Sequence, residues 1–405
     1  MSKKPNKGEI MRHVLMFAFL TMLVACGGGG GAGAPAGGGG GGGDTSLSIP
    51  RDHYIFKSFS DTFSFHSESF KGIAKAAGFK ILDDDPTPIL TVQTDVYVAG
   101  FAENDTDYVG PRTAIYWKNG DMTVLDDLNN SQANAIYVDS DDTVYVVGMD
   151  QTNKGALWVN GVLTVLTGSA DYAEAFAITK YSGDVYIAGN TYGGDDTRHA
   201  GYWVNNVFHA LPENGSNSFA YSIFFDDSGS MYIAGSTGGY AVYWKDGELV
   251  ELQERTGHGG LAKSVIMGND GSVYATGSVD AEYLDLSPDL GIVAVYWKDG
   301  QITQLSLGSR IESVHKQGDS LVLTGDWDDN GTRVALVWGA TDLYSSLELT
   351  SYITASAING TDIYASGVLG SDNGNHIAAI WVNGVKKDLS DPLVMSADAN
   401  AIFVK

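Results

Sequence analysis

Ala133-Asn134-Ala135-Ile136-Tyr137-Val138, then Val144-Tyr145-Val146-Val147-Gly148, then Ala156-Leu157-Trp158-Val159-Asn160-Gly161, then Val162 to Leu166: these four runs decide the fold. Each is rich in β-branched and aromatic residues that alternate with period two, the pattern of a strand. Asn160-Gly161 between the third and fourth runs suits a tight hairpin, because both residues of a type I′ turn need positive φ. The unit reads as a four-stranded antiparallel meander.

The unit recurs. Its tryptophan has counterparts at Trp117, Trp203, Trp244, Trp297, Trp338 and Trp381, with spacings of 41, 45, 41, 53, 41 and 43. A strand closing on glycine precedes each: Val96 to Gly100, Val185 to Gly189, Met231 to Gly235, Val273 to Gly277, Leu321 to Gly325 and Ile363 to Gly367. Upstream lies Ala-x-Ala/Ser-Ile/Val, at Ala175 to Ile178, Ala220 to Ile223, Ala262 to Val265, Ala355 to Ile358 and Ala399 to Ile402, with a looser copy at Ile311 to Val314. Asn119-Gly120, Asp246-Gly247, Asp299-Gly300 and Asn383-Gly384 repeat the turn. Four-stranded units of about 40–50 residues read as propeller blades. The expectation is an all-β, seven-bladed β-propeller of four-stranded antiparallel blades over 94–405.

Small residues at alternate positions mark the Ala-x-Ala run as the innermost strand, where neighbouring blades approach most closely. The tryptophans are read as filling the wedges between blades, with a binding surface as the alternative. Trp327, outside this register, is the one expected to be exposed. Residues 399–404 form an innermost strand with no blade after it, and Val96 lacks a good one before it because Pro86 and Pro88 interrupt that place. The C-terminal strand is therefore expected to complete the N-terminal blade and close the ring; Ile89 to Val92 as that strand is the alternative. Residues 44–93 form an irregular, aromatic extension, with a short helix expected within Ser67 to Phe79.

The N-terminal 25 residues carry Lys3, Lys4, Lys7 and Arg12 before an apolar run from Val14 to Ala25. That run is shorter than the roughly 20 residues a bilayer span needs and fits a secretory signal peptide. Leu23-Val24-Ala25-Cys26 resembles the lipobox of bacterial lipoproteins. The resemblance implies a diacylglyceryl thioether on Cys26, cleavage before it and acylation (palmitate-type) of the new terminus. Cys26 is the only cysteine, so no internal disulfide exists to occupy it. Residues 27–43 are glycine apart from Ala32, Ala34, Pro35 and Ala36, a flexible tether reaching roughly 20–25 Å. Gly27, in place of Asp, implies by the enterobacterial sorting rule an outer-membrane destination. Net charge is −25; without residues 1–25, which carry +3, it is about −28. Such a chain repels nucleic acid and anionic lipid. The surface suits solubility, a cation-rich medium or a cationic partner.

The units at Ala135 to Asp139, Val144 to Gly148 and Ala156 to Gly161 resemble the bacterial extracellular HAF repeats and the β-propeller repeats named SBBP. The resemblance spans roughly 94–405 and implies an exported propeller. It supplies no catalytic residues.

Candidate chemistry is sparse. The longest loop, between Gly277 and Trp297, holds Asp280, Glu282, Tyr283 and Asp285, which with Trp327 are the candidate ligand contacts. Asp326, Asp328 and Asn330, followed by Gly331, match the opening of a calcium loop, but Val337 stands where a closing Glu is needed; an Asp/Asn-rich turn explains the run without Ca²⁺. His199 and His376 hold matching places before their tryptophans and read as a repeat position. No nucleophile-elbow or zinc motif occurs. The leading expectation is a monomeric, lipid-anchored binding scaffold at the envelope or cell surface, for protein or glycan. A glycan-processing enzyme using carboxylates of the open face and a surface adhesin are the alternatives.

Overall fold

Alternation of buried and half-exposed residues builds the sheets from the innermost strand outward. The computed structural model describes residues 54–55, 80–81 and 94–405, apart from 104–111, 127–129, 167, 169–171, 193–196, 254–256, 289–290, 308, 330–331, 339–342, 346–350, 371–375 and 390–395; side chains of strand residues 54–55, 80–81, 306–307, 327–329, 332–338 and 343–345 are also left aside. The described strands form seven four-stranded antiparallel sheets and one two-stranded parallel sheet. The lipobox, the tether and the expected helix within 67–79 lie outside the described residues.

Sheet 1 combines Ser396–Val404, Val96–Glu103, Arg112–Lys118 and Asp121–Val124 in that order. Its first two strands pair antiparallel from Val96 opposite Val404 to Glu103 opposite Ser396. Sheet 2 is Gln132–Val138, Val144–Met149, Gly155–Val159 and Val162–Val165. The first strands of sheets 3 to 7 are Tyr172–Tyr181, Phe219–Phe225, Gly260–Met267, Ser309–Gln317 and Ser351–Asn359, each followed by three neighbours in chain order. The first strands contact one another from sheet to sheet, so they are innermost. This is a β-propeller.

The sequence reading needs one correction. It expected every sheet to be a four-stranded antiparallel blade within 94–405. Tyr54–Ile55 and Lys80–Ile81 instead pair in parallel as a separate sheet. Two residues on each side carry too little periodicity to be read from sequence.

Apolar clusters join each blade to the next. Trp117 of sheet 1 packs with Ala378 and Ile380 of sheet 7. Trp158 packs with Ala99 and Ala114 of sheet 1, and Trp203 with Val147 and Leu157 of sheet 2. Trp244, Trp297 and Trp381 repeat the arrangement. All six are buried, so these tryptophans fill the wedges between blades.

The hairpin turns do more than reverse the chain. Asn119, Asn160, Asp246, Asp299 and Asn383 have φ near +50°, and each side chain accepts a hydrogen bond from an N–H at the start of the second strand of its blade, as Asn160 Oδ1 does from Val144 N at 2.9 Å. Asn205 does the same in sheet 3, with Asn206 (φ 69°) in the place of glycine. Asn and Asp tolerate positive φ and bring the acceptor. Among the described residues no helix is long and apolar enough to cross a membrane.

Candidate functional site at the mouth of the ring

Every innermost strand carries a register shift, in six sheets at the middle residue of the small-residue run and in sheet 7 at Thr354, just before the run read as Ala355 to Ile358. The shifts fall between Ala133 and Ala135, Ala175 and Ala177, Ala220 and Ser222, Ala262 and Ser264, Ile311 and Ser313, and Ile353 and Ala355. In sheet 1 the extra residue is Asn400, between Ala399 and Ala401. Such a bulge leaves one residue unpaired and re-aims its side chain. The bulge also explains the glycine that closes each second strand. A Cβ on Gly100, Gly148, Gly189, Gly235, Gly277, Gly325 or Gly367 would come well inside 3.0 Å of the carbonyl oxygen two residues before the bulge.

The seven bulge residues, Asn134, Phe176, Tyr221, Lys263, Glu312, Thr354 and Asn400, form a belt around the axis. Three repeat one contact: each donates to the carbonyl just before the next blade's bulge. Thr354 donates to Ala399 O, Asn400 to Ala133 O at 2.9 Å and Asn134 to Ala175 O at 3.0 Å. Phe176 then meets Tyr221 with ring centroids 5.5 Å apart. Lys263 lies 4.5 Å over the Tyr221 ring and 3.4 Å from Glu312. The Glu312 charge holds the Lys263 ammonium above its usual pKa, and burial raises that of the Tyr221 phenol.

One step toward the loop-bearing face, side chains converge into a polar and aromatic mouth. Glu174 accepts from Gln132 (2.6 Å), Asn134 (3.2 Å) and Tyr172 (2.8 Å). Burial, reinforced by the Glu174 charge, raises the Tyr172 pKa. Arg112 donates to Gln132 (3.3 Å) and to Glu103 (2.9 Å) and lies 4.4 Å over Phe101. Arg198 sits 5.6 Å from both the Tyr192 and Phe219 rings, and Phe219 and Tyr221 are parallel at 5.6 Å. The Asn190 side chain, buried opposite Glu174, has no hydrogen-bond partner among the described residues; leaving a buried carboxamide unbonded costs about 1–3 kcal/mol. Across the ring, His376 meets Asp398 at 2.6 Å and Tyr352 donates to the same carboxylate at 3.4 Å. His199 meets Glu213 at 3.1 Å. Both histidines therefore pair with acids at the start of a third strand.

The opposite face consists of short hairpins with a repeated Asp–Lys–Tyr group. Lys118 bridges Asp95 at 2.9 Å and lies over Tyr97; Lys298 bridges Asp270 at 2.8 Å and lies over Tyr274. Lys298 holds the Asp270 carboxyl below its ordinary pKa. A cleft of about 330 Å³ on this face includes Asp270, Lys316 and Asp319. Its carboxylates are already engaged, Asp270 by Lys298 and Tyr274 and Asp319 by Asn269.

The described residues singled out in the sequence lie on the same loop-bearing face but in sheets 5 and 6, at the ends of second strands and in the loop after Asp280. Asp280 ends a strand and accepts from Gly259 N. Ala281–Leu284 form one 3-10 turn capped by Asp285 at φ 57°. Glu282 lies 3.4 Å from His258, and Tyr283 packs against the cluster between sheets 4 and 5. The long loop is thus folded onto its blade. Asp326 and Asp328 lie in the extended strand Ser320–Asp329, opposite Arg310 and Arg333. Trp327 pairs through its backbone with Ser309 and Val334; Asn330 and Cys26 lie outside the described residues. Among the described residues, no three His, Cys, Asp or Glu side chains form a metal cluster.

No protein-family model and no curated protein matches the chain. Solved structures resemble it. Virginiamycin B lyase from Staphylococcus aureus is 15% identical over 63% of this chain and 83% of its own, with a TM-score of 0.41. A streptogramin B lyase is 10% identical over 77% and 98%, with a TM-score of 0.40. A protein from Lactobacillus plantarum is 11% identical over 78% and 100%, with a TM-score of 0.44. Likeness at this level transfers no activity.

Proposed function

We propose that the chain is a recognition scaffold of the bacterial envelope, lipid-anchored at the outer membrane through Cys26, that engages a protein or glycan at the mouth of its propeller. One observation carries the reading: the two faces differ in chemistry. The mouth concentrates arginines, carboxylates, amides and aromatic rings around one belt, whereas the hairpin face pairs its lysines and acids with each other. Binding residues concentrate where loops meet a rigid frame. The Gly27–Gly43 tether would give the propeller room to turn toward a partner. The test is membrane fractionation with crosslinking and pull-down of a tagged full-length chain beside Cys26→Ala. The expected result is a membrane-bound wild type that captures a stoichiometric envelope component, and a released variant that does not. Identical fractionation of the two forms contradicts the anchor, and no capture by either contradicts the scaffold.

A further inference from the structure

Arginine is concentrated on the mouth side of the propeller. Residues 94–405 contain five arginines. Arg112 and Arg198 open third strands, Arg333 is the second residue of a third strand and Arg310 the second residue of a first strand. These four described positions are on the mouth side. Lys118, Lys180, Lys245, Lys298, Lys316 and Lys405 lie at the hairpin side, whereas Lys154 precedes a third strand and Lys263 is in the belt. The two cations are not interchangeable: guanidinium offers a planar fork that matches an oxyanion, and it stacks on aromatic rings.

Arg198 is a fork set against aromatic rings. Asp and Glu outnumber Lys and Arg by 49 to 24, yet among the described residues its half-buried guanidinium has no ion pair. It lies instead against Tyr192 and Phe219, each at 5.6 Å. Stacking holds the plane and leaves N–H edges to meet a carboxylate in bidentate fashion. On one side stand Tyr172 and Glu174, whose hydrogen bonds to three donors fix the carboxylate as an acceptor for hydroxyls. On the other, Phe219 stacks parallel on Tyr221 and adds an aromatic ring beside the fork. A carboxylate fork, a hydroxyl acceptor and a neighbouring aromatic ring match one chemical object, a sugar ring bearing a carboxylate. The acidic exterior disfavours adsorption of a polyanion elsewhere, which leaves the arginine-bearing mouth as the place where one is tolerated.

We propose that the mouth between sheets 3 and 4 binds a uronate residue of an acidic polysaccharide, with Arg198 holding the carboxylate. The inference rests on the recognition reading above and narrows its ligand. The test is calorimetric titration of the full-length lipoprotein in detergent with three probes: a hexameric oligogalacturonate, the same oligomer with its carboxylates reduced to alcohols, and dextran sulfate. The oligouronate should bind at least tenfold more tightly than either of the other two. Arg198→Gln should lose about tenfold for the oligouronate and nothing for the reduced oligomer. Arg198→Lys, which keeps the charge without the fork, should lose nearly as much; unchanged circular dichroism of both variants shows that they fold. Equal binding of the uronate and its reduced form, indifferent to Arg198, overturns the uronate and keeps a glycan-binding mouth. Tighter binding of dextran sulfate overturns carboxylate selectivity. No binding of any probe overturns the inference, while the recognition reading then stands or falls on cellular capture.

Discussion

His315, on the innermost strand Ser309–Gln317, has a ring nitrogen Nε2 with no hydrogen-bond partner among the described residues. Burial pushes its pKa down to about 4, against about 6.5 in an unfolded chain. The unfolded state therefore takes up a proton before the folded state does, and stability rises with pH between those values. As pH falls from about 6.5 to 4, the native state should lose stability through this one group, with no further loss from it below 4. His315→Gln should flatten the thermal-unfolding midpoint across that window relative to wild type; parallel profiles would show that the ring is already solvated. His315 carried no mark in the sequence, since one histidine in an irregular repeat copy looks like any surface residue. The turn residues were legible for their positive φ. Their second task, accepting the N–H of the second strand, was not, because the acceptor and donor are 15 to 26 residues apart.

At the level of the strand, Gly148 and its counterparts join two features that the sequence showed separately. The reading found small residues on the innermost strand and a glycine closing the second, and gave no reason for the glycine. The bulge supplies it: the swung carbonyl of Gln132 leaves no space for a Cβ at Gly148. Gly148→Ala should force a backbone shift and cost about 3 kcal/mol. Gly161→Ala, at a turn with φ +81° and nothing within 4 Å, should cost about 1–2 kcal/mol through backbone conformation alone. Urea denaturation of the two variants checks the order, and equal losses would show that the bulge yields. The variable middle of Ala-x-Ala was in plain view in the sequence. Alignment of the copies on their flanking small residues would have isolated Asn134, Phe176, Tyr221, Lys263 and Asn400, and Glu312 from its looser copy, as the positions free of the packing constraint; in sheet 7 it would have pointed to Ser356 in place of Thr354.

At the scale of the whole molecule, the repeated strands, the wedge tryptophans and the antiparallel pairing of Ser396–Val404 with Val96–Glu103 follow from patterns that recur every forty-odd residues. The parallel pair of Tyr54–Ile55 and Lys80–Ile81 does not, because it occurs once and joins distant residues. The candidate site was the least legible part. Its residues come from the first, second and third strands of several blades, so no local motif contains it, and the loop richest in exposed-looking acids folds back onto its own blade. What the account claims above all is that recognition belongs to the mouth and not to the hairpin face. The most direct measurement is site-specific photo-crosslinking in cells, with benzoylphenylalanine placed at Phe219 on the mouth or at Tyr274 on the hairpin face. The account predicts a higher-mass adduct from position 219 and none from 274. Adducts from 274, or from neither position, would contradict it.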